Sequence, residues 1–97
     1  ALKAIAGFNV RYAFVGTDWF SLAAGLTTQL VEGAEIVKAM KDRAEETWLV
    51  ADSSKYCKSG FVSVLPLEEM DGIITDIKLD EDARRAMAEA NLQVRMV

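Results

Sequence analysis

Tyr12-Ala13-Phe14-Val15-Gly16-Thr17-Asp18 is a short, unbroken apolar run that ends abruptly in a glycine and polar residues. The same wording returns at Trp48-Leu49-Val50-Ala51, followed by Asp52-Ser53-Ser54-Lys55. Short continuous apolar runs mark strands buried on both faces of a parallel sheet. In open α/β sheets, small molecules bind in the crevice beyond the carboxyl ends of such strands. The two polar endings are therefore expected to meet there. A third polar motif, Gly25-Leu26-Thr27-Thr28, also follows an apolar run and belongs with them.

Working outward from these runs, the chain alternates strand and helix. Glu32 to Glu46 has helical spacing, with Ile36, Val37, Met40 and Ala44 on the face expected to lie on the sheet. After strand Trp48 to Ala51 comes a loop, Asp52 to Ser59, and then Phe61 to Leu65 as an extended or irregular piece closed by Pro66, the only proline. Leu67 to Asp71 is long enough for one helical turn. Ile73-Ile74 starts a brief strand ending at Thr75-Asp76. Asp80 is expected to cap a helix that runs through Asn91, with Ala83, Met87 and Ala90 inward and Arg84, Arg85 and Glu89 solvated. Val94 to Val97 supplies a last strand. At the other end, Leu2, Ile5 and Ala6 have helical spacing that Gly7 would stop, as at the end of a longer helix. The order is that of an α/β fold, a mostly parallel sheet with flanking helices. About four strands is little for a stable sheet, so the chain is expected to be part of a larger domain.

Composition removes several classes of function. The 97 residues carry a formal net charge of −4, with 11 Lys and Arg against 15 Asp and Glu, so no basic face for DNA phosphates is expected. No apolar stretch approaches the roughly 18 to 20 residues of a membrane span, and no signal-peptide pattern opens the chain, so a cytoplasmic location is expected. Cys57 stands alone and histidine is absent, which argues against a disulfide within the chain, a zinc site or a reactive thiol. No cofactor is expected. General acid–base chemistry near neutral pH commonly uses histidine, so an enzyme is disfavoured, although a carboxylate of raised pKa leaves that alternative standing.

Each motif admits a ligand-binding and a structural reading. Asp18 after Gly16 can accept hydrogen bonds from two sugar hydroxyls while the glycine admits close approach, or it can cap a turn. Gly25, Thr27 and Thr28 can form an anion-friendly nest ahead of the first long helix, or an ordinary glycine turn with threonine caps. Lys55, with Asp52 and Ser54 in the same loop, can bring an ammonium and hydroxyls to one phosphate, or it can be a surface lysine. Lys58 lies outside the motif and is expected to be solvated.

The run RYAFVGTDWFSLAAGLTT (Arg11 to Thr28), followed by VKAM (Val37 to Met40), VADSSKY (Val50 to Tyr56) and IITD (Ile73 to Asp76), resembles the C-terminal effector-sensing domain of DeoR-family bacterial repressors. The resemblance implies a partial Rossmann-like fold, the second half of a sensor related to ribose-5-phosphate isomerase and glucosamine-6-phosphate deaminase. It implies a phosphorylated sugar or sugar alcohol as inducer, no membrane partner and a homo-oligomer. It also implies DNA binding only through an N-terminal winged helix-turn-helix that, with the sensor's first half, lies outside residues 1–97. Effector contacts carry over to Gly16, Asp18, Gly25, Thr27, Thr28, Asp52, Ser54 and Lys55, the lysine on the phosphate. In the deaminases the segment after the aspartate reads Gly-His, and here Trp19 and Phe20 stand in its place. Trp19 also departs from the sensors, where a glycine usually follows the aspartate. An indole there narrows the pocket, stacks on a sugar face or covers the site. The wording around Gly25 and Asp52 is most similar to members controlling sugar-alcohol uptake, galactitol or glucitol. The alternative from another class is a truncated remnant that binds no ligand and self-associates through uncovered strand edges.

Overall fold

In the computed structural model, which describes residues 9–97, the two apolar runs lie side by side. Strand β1 (Val10–Val15) pairs in parallel with β4 (Ala44–Val50), β4 with β6 (Gly72–Thr75), and β6 with β7 (Gln93–Met96). The sheet order is β1-β4-β6-β7. The register aligns Val15, Leu49, Ile73 and Val94 in one row across the sheet. Helix α1 (Val31–Asp42) and helix α2 (Glu81–Glu89) close over that row, with Ala34, Ala83 and Met87 in the same core cluster as Val15, Leu49 and Ile73. The α/β architecture expected from the sequence is present, a mostly parallel sheet with flanking helices. The expected helix over Ala1 to Gly7 lies outside the described residues.

Several details differ from expectation, each for a physical reason. The run Tyr12 to Val15 is buried on one face only. Ala13 and Val15 are buried, whereas Phe14 is 57% exposed and Tyr12 45%. Both helices share one core cluster with the Val15 row, and alternation turns Tyr12 and Phe14 to the other face. Trp48 is on that outer side of β4 and is nonetheless buried, because its ring lies over Gly72 and the Arg95 guanidinium stacks 5.7 Å from the ring centre.

Helix α1 ends at Asp42, four residues before the expected Glu46, with Arg43 as its C-cap. Ala44 to Glu46 instead extend β4, held by pairing of Val10 with Ala44 and Tyr12 with Glu46. Helical periodicity cannot register that ladder, which forms between segments distant in sequence. Ile36, expected on the sheet, is at the exposed edge, while Ala34, Val37 and Met40 pack inward. Asp80 takes the N-cap position of α2, but its side chain makes no capping bond. Its carbonyl accepts the Arg84 N–H at 3.0 Å, and Asn91, at φ 67°, lies just beyond the helix end.

The largest difference is at Gly25 to Thr28. These residues form strand β3 (Gly25–Thr28), not a nest or turn before a helix. It pairs antiparallel with β2 (Trp19–Ser21) and with β5 (Val62–Leu65), making a second sheet of order β2-β3-β5. Gly25 permits this at φ +75°, where a β-carbon would also lie 2.3 Å from the Leu65 carbonyl oxygen. The close approach buries Leu26 completely against Phe20, Val64 and Leu67 in the core.

Candidate functional site

The strands β1, β4 and β6 run parallel, so their carboxyl ends share one edge of the sheet. Beyond that edge lie Gly16-Thr17-Asp18, the turn from Asp52 to Lys55, and Asp76. A network of carboxylate bonds ties them down. Asp76 Oδ2 accepts the Ser53 N–H at 2.9 Å and its Oδ1 accepts the Lys78 N–H at 2.8 Å. Those donors, the Ser53 N–H first and its hydroxyl next, hold the Asp76 carboxyl below the usual carboxylate range. Asp52 Oδ1 accepts the Ser54 N–H at 3.0 Å and the Ser54 hydroxyl, so it caps the short 3₁₀ turn Ser53–Lys55.

Asp18 joins the β1–β2 connection to the start of α1. Its Oδ2 accepts the Thr28 hydroxyl at 2.6 Å and the Gln29 N–H at 3.1 Å. The Thr28 hydroxyl is the main cause, and the Gln29 N–H the next, of a pKa below the usual value; the Lys55 ammonium adds to it. Asp18 is therefore a carboxylate under ordinary conditions. The Thr17 hydroxyl sits between the carbonyl oxygens of Trp19 at 2.9 Å and Thr27 at 2.8 Å, which fixes the turn that presents Asp18. A cleft of about 250 Å³ opens beside these groups, lined by Gly16, Thr17, Asp18, Thr28, Gly33, Val37 and Val64. Helix α1 begins at its rim with Leu30 at the N-cap and no side-chain cap, so the first-turn amides there have no side-chain acceptor.

Of the expected contact residues, Gly16, Asp18 and Thr28 line this cleft. Lys55 does not line it; its Nζ is 5.2 Å from the centre of the Trp19 ring. Asp52 and Ser54 bond each other within the same turn. Gly25 and Thr27 are not brought to the cleft. Thr27 is buried inside β3, where its hydroxyl accepts the Gly60 N–H at 2.7 Å.

Three residues near the site carry more of its structure than their spacing suggested. Asp76 positions the Ser53–Lys55 turn across strands. Trp19 lies under the Lys55 ammonium and opens strand β2 directly after Asp18. Lys58 is exposed, as expected, and has its Nζ 5.0 Å from the same Trp19 ring centre. The only signal in the sequence is the three-residue spacing of Lys55 and Lys58, and it says nothing of an indole in another sheet. Among the described residues, no group of three or more acidic, cysteine or histidine side chains could hold a metal ion. No helix among them is long and apolar enough to cross a membrane.

Carboxylate, ammonium and hydroxyl groups beyond the carboxyl ends of a parallel sheet stand where α/β folds commonly bind small molecules. Residues 1–77 match the family model of the DeoR C terminal sensor domain, and the chain belongs to that family. It is 37% identical over 86 residues to the HTH-type transcriptional regulator GlpR of Haloferax volcanii, covering 89% of this chain and 34% of that protein. An HTH-type transcriptional regulator of Haemophilus influenzae is 36% identical over 89 residues, 92% of this chain and 34% of the relative. A putative aga operon transcriptional repressor of Escherichia coli O157:H7 is 26% identical over all 97 residues, 36% of its own length. The chain thus spans about a third of the length of these relatives. They bear the names of transcriptional regulators, not enzymes.

Proposed function

We propose that this chain is the effector-binding portion of a DeoR-type transcriptional repressor of a carbohydrate-utilisation operon, and that its inducer is a phosphorylated sugar or sugar alcohol. The observation that carries the reading is that Asp18 lines the strand-end cleft while the Lys55 ammonium lies within electrostatic reach of its carboxylate. An ammonium complements a phosphate, and a carboxylate complements sugar hydroxyls. Among the described residues both protein bonds to Asp18 fall on Oδ2, which leaves Oδ1 for a ligand hydroxyl. Asp52 and Asp76 hold the lysine-bearing turn, so their part is to place Lys55. DNA contact falls to the helix-turn-helix part that the relatives' names carry, and the inducer acts by favouring the DNA-released arrangement of a homo-oligomer.

The test is made in the intact repressor, by titrating phosphorylated sugars and hexitols against its operator complex. A charge-assisted contact is worth roughly 1.5 to 3 kcal/mol, so Lys55→Ala raises the inducer midpoint about ten-fold to a hundred-fold while affinity for the operator without inducer is unchanged. Equal midpoints for Lys55→Ala and the wild type would reduce this lysine to a solvated loop residue.

A further inference from the structure

Lys55 and Lys58 place two ammonium groups within 5.2 and 5.0 Å of the centre of one indole, that of Trp19. Among the described residues neither lysine forms a salt bridge. Two unpaired cations held at one ring repel each other, and the ring's quadrupole offsets part of that repulsion. The loop that carries Lys58 is pressed onto the indole. The Cys57 N–H bonds the Phe20 carbonyl at 2.8 Å, the Gly60 N–H bonds the Thr27 hydroxyl at 2.7 Å, and a β-carbon on Gly60 would lie 3.0 Å from Trp19 Cδ1 and 2.9 Å from the Thr28 carbonyl oxygen. The backbone is therefore fixed on both sides of Lys58, in a chain whose overall charge is −4.

We propose that Lys55, Lys58 and Trp19 form a two-ammonium clamp selective for a dianionic phosphate. Lys58 is a second phosphate contact, and Trp19 is the positioning residue that holds both ammoniums in place before the ligand arrives. This rests on the reading of the site as a phosphate-binding one and deepens it. A phosphate dianion neutralises both cations at once, whereas a singly charged anion such as a carboxylate leaves one unpaired. Asp18, within electrostatic reach of Lys55, disfavours an anion that brings no hydroxyl donors to meet it, which directs the phosphate end of a ligand to the lysines and its hydroxyls to the carboxylate. Trp19 thus becomes a specificity element.

Inorganic phosphate is a sufficient probe, followed in the intact protein by tryptophan fluorescence and by calorimetry, with acetate as the singly charged control. Lys55→Ala and Lys58→Ala should each weaken phosphate binding about ten-fold, while Lys38→Ala on α1 leaves it unchanged. Trp19→Leu should weaken it severalfold and Trp19→Phe less, because phenylalanine keeps an aromatic face. The affinity should rise with pH as phosphate takes its second negative charge, and this rise should shrink in Lys58→Ala. If Lys55→Ala weakens binding but Lys58→Ala and Trp19→Leu match the wild type, the clamp is refuted and the single-lysine phosphate site stands. If the wild type fails to distinguish phosphate from acetate, or if neither lysine substitution changes the affinity, the clamp and the phosphate reading fall together.

Discussion

Replacing Gly25 by alanine separates a structural glycine from a ligand-binding one. In the structure Gly25 has φ +75°, a region that costs an L-residue about 1 to 2 kcal/mol. The new β-carbon would lie 2.3 Å from the Leu65 oxygen, 2.9 Å from Pro66 Cα and 3.1 Å from the Leu65 carbonyl carbon, all backbone atoms. Relief requires β5 and Pro66 to move by about 1 Å, which disturbs the pairing of Leu26 with Leu65 and the fully buried Leu26 and Leu67. Such overpacking costs about 1 to 3 kcal/mol more. The expected loss is then about 2 to 5 kcal/mol, or a fall in Tm on the order of 10 to 30 °C for a domain of this size. Urea unfolding followed by far-ultraviolet circular dichroism measures it. Gly33→Ala is the control, because its β-carbon meets only Thr28 Oγ1 at 3.9 Å inside α1. That change is expected to stabilise by about 0.5 to 1 kcal/mol. A Gly25→Ala chain as stable as the wild type would refute the account of β3.

Gly72→Ala offers a contrast. Its β-carbon would lie 2.3 to 2.6 Å from three atoms of the Trp48 ring, but that ring is a side chain on the open face and can lift away, so the cost is about 1 kcal/mol; Trp48→Leu in the same chain should recover most of it in a double-mutant cycle. Acid should weaken the fold through Asp18 and Asp76. Both have lower pKa values folded than unfolded, so the stability they give is present above about pH 4 and is lost as pH falls through their depressed values. Urea midpoints at pH 6 and pH 3 should therefore differ less in the double variant Asp18→Asn/Asp76→Asn than in the wild type, and an equal difference would remove both carboxylates from the acid response. Sedimentation should show the chain associating at micromolar concentration, since Val10, Tyr12, Phe14 and Val50 leave an apolar face of the sheet exposed; a clean monomer would count against self-association through that face.

The sequence by itself determined the local order. The apolar runs Tyr12 to Val15 and Trp48 to Ala51 are strongly strand-forming, Pro66 closes an extended piece, and the spacing of Ala83 and Met87 marks one helix face. Each of these is a property of neighbouring residues. It also determined that a carboxylate and a lysine follow separate strands, from which their meeting at one sheet edge follows once the strands are parallel. The tertiary structure alone decided whatever depends on a partner distant in the chain. Gly25 to Thr28 are too few and too polar to declare a strand; they become one because β2 and β5 supply hydrogen-bond partners on both sides. The end of α1 was set by the ladder from β1 to β4, which draws Ala44 to Glu46 out of helical phase. Tyr12 and Phe14 are exposed because both helices pack against the opposite face, a matter of layer and not of hydrophobicity. Trp19, Lys55 and Lys58 meet because one loop is bonded to two strands of the smaller sheet, and no spacing along the chain encodes that distance.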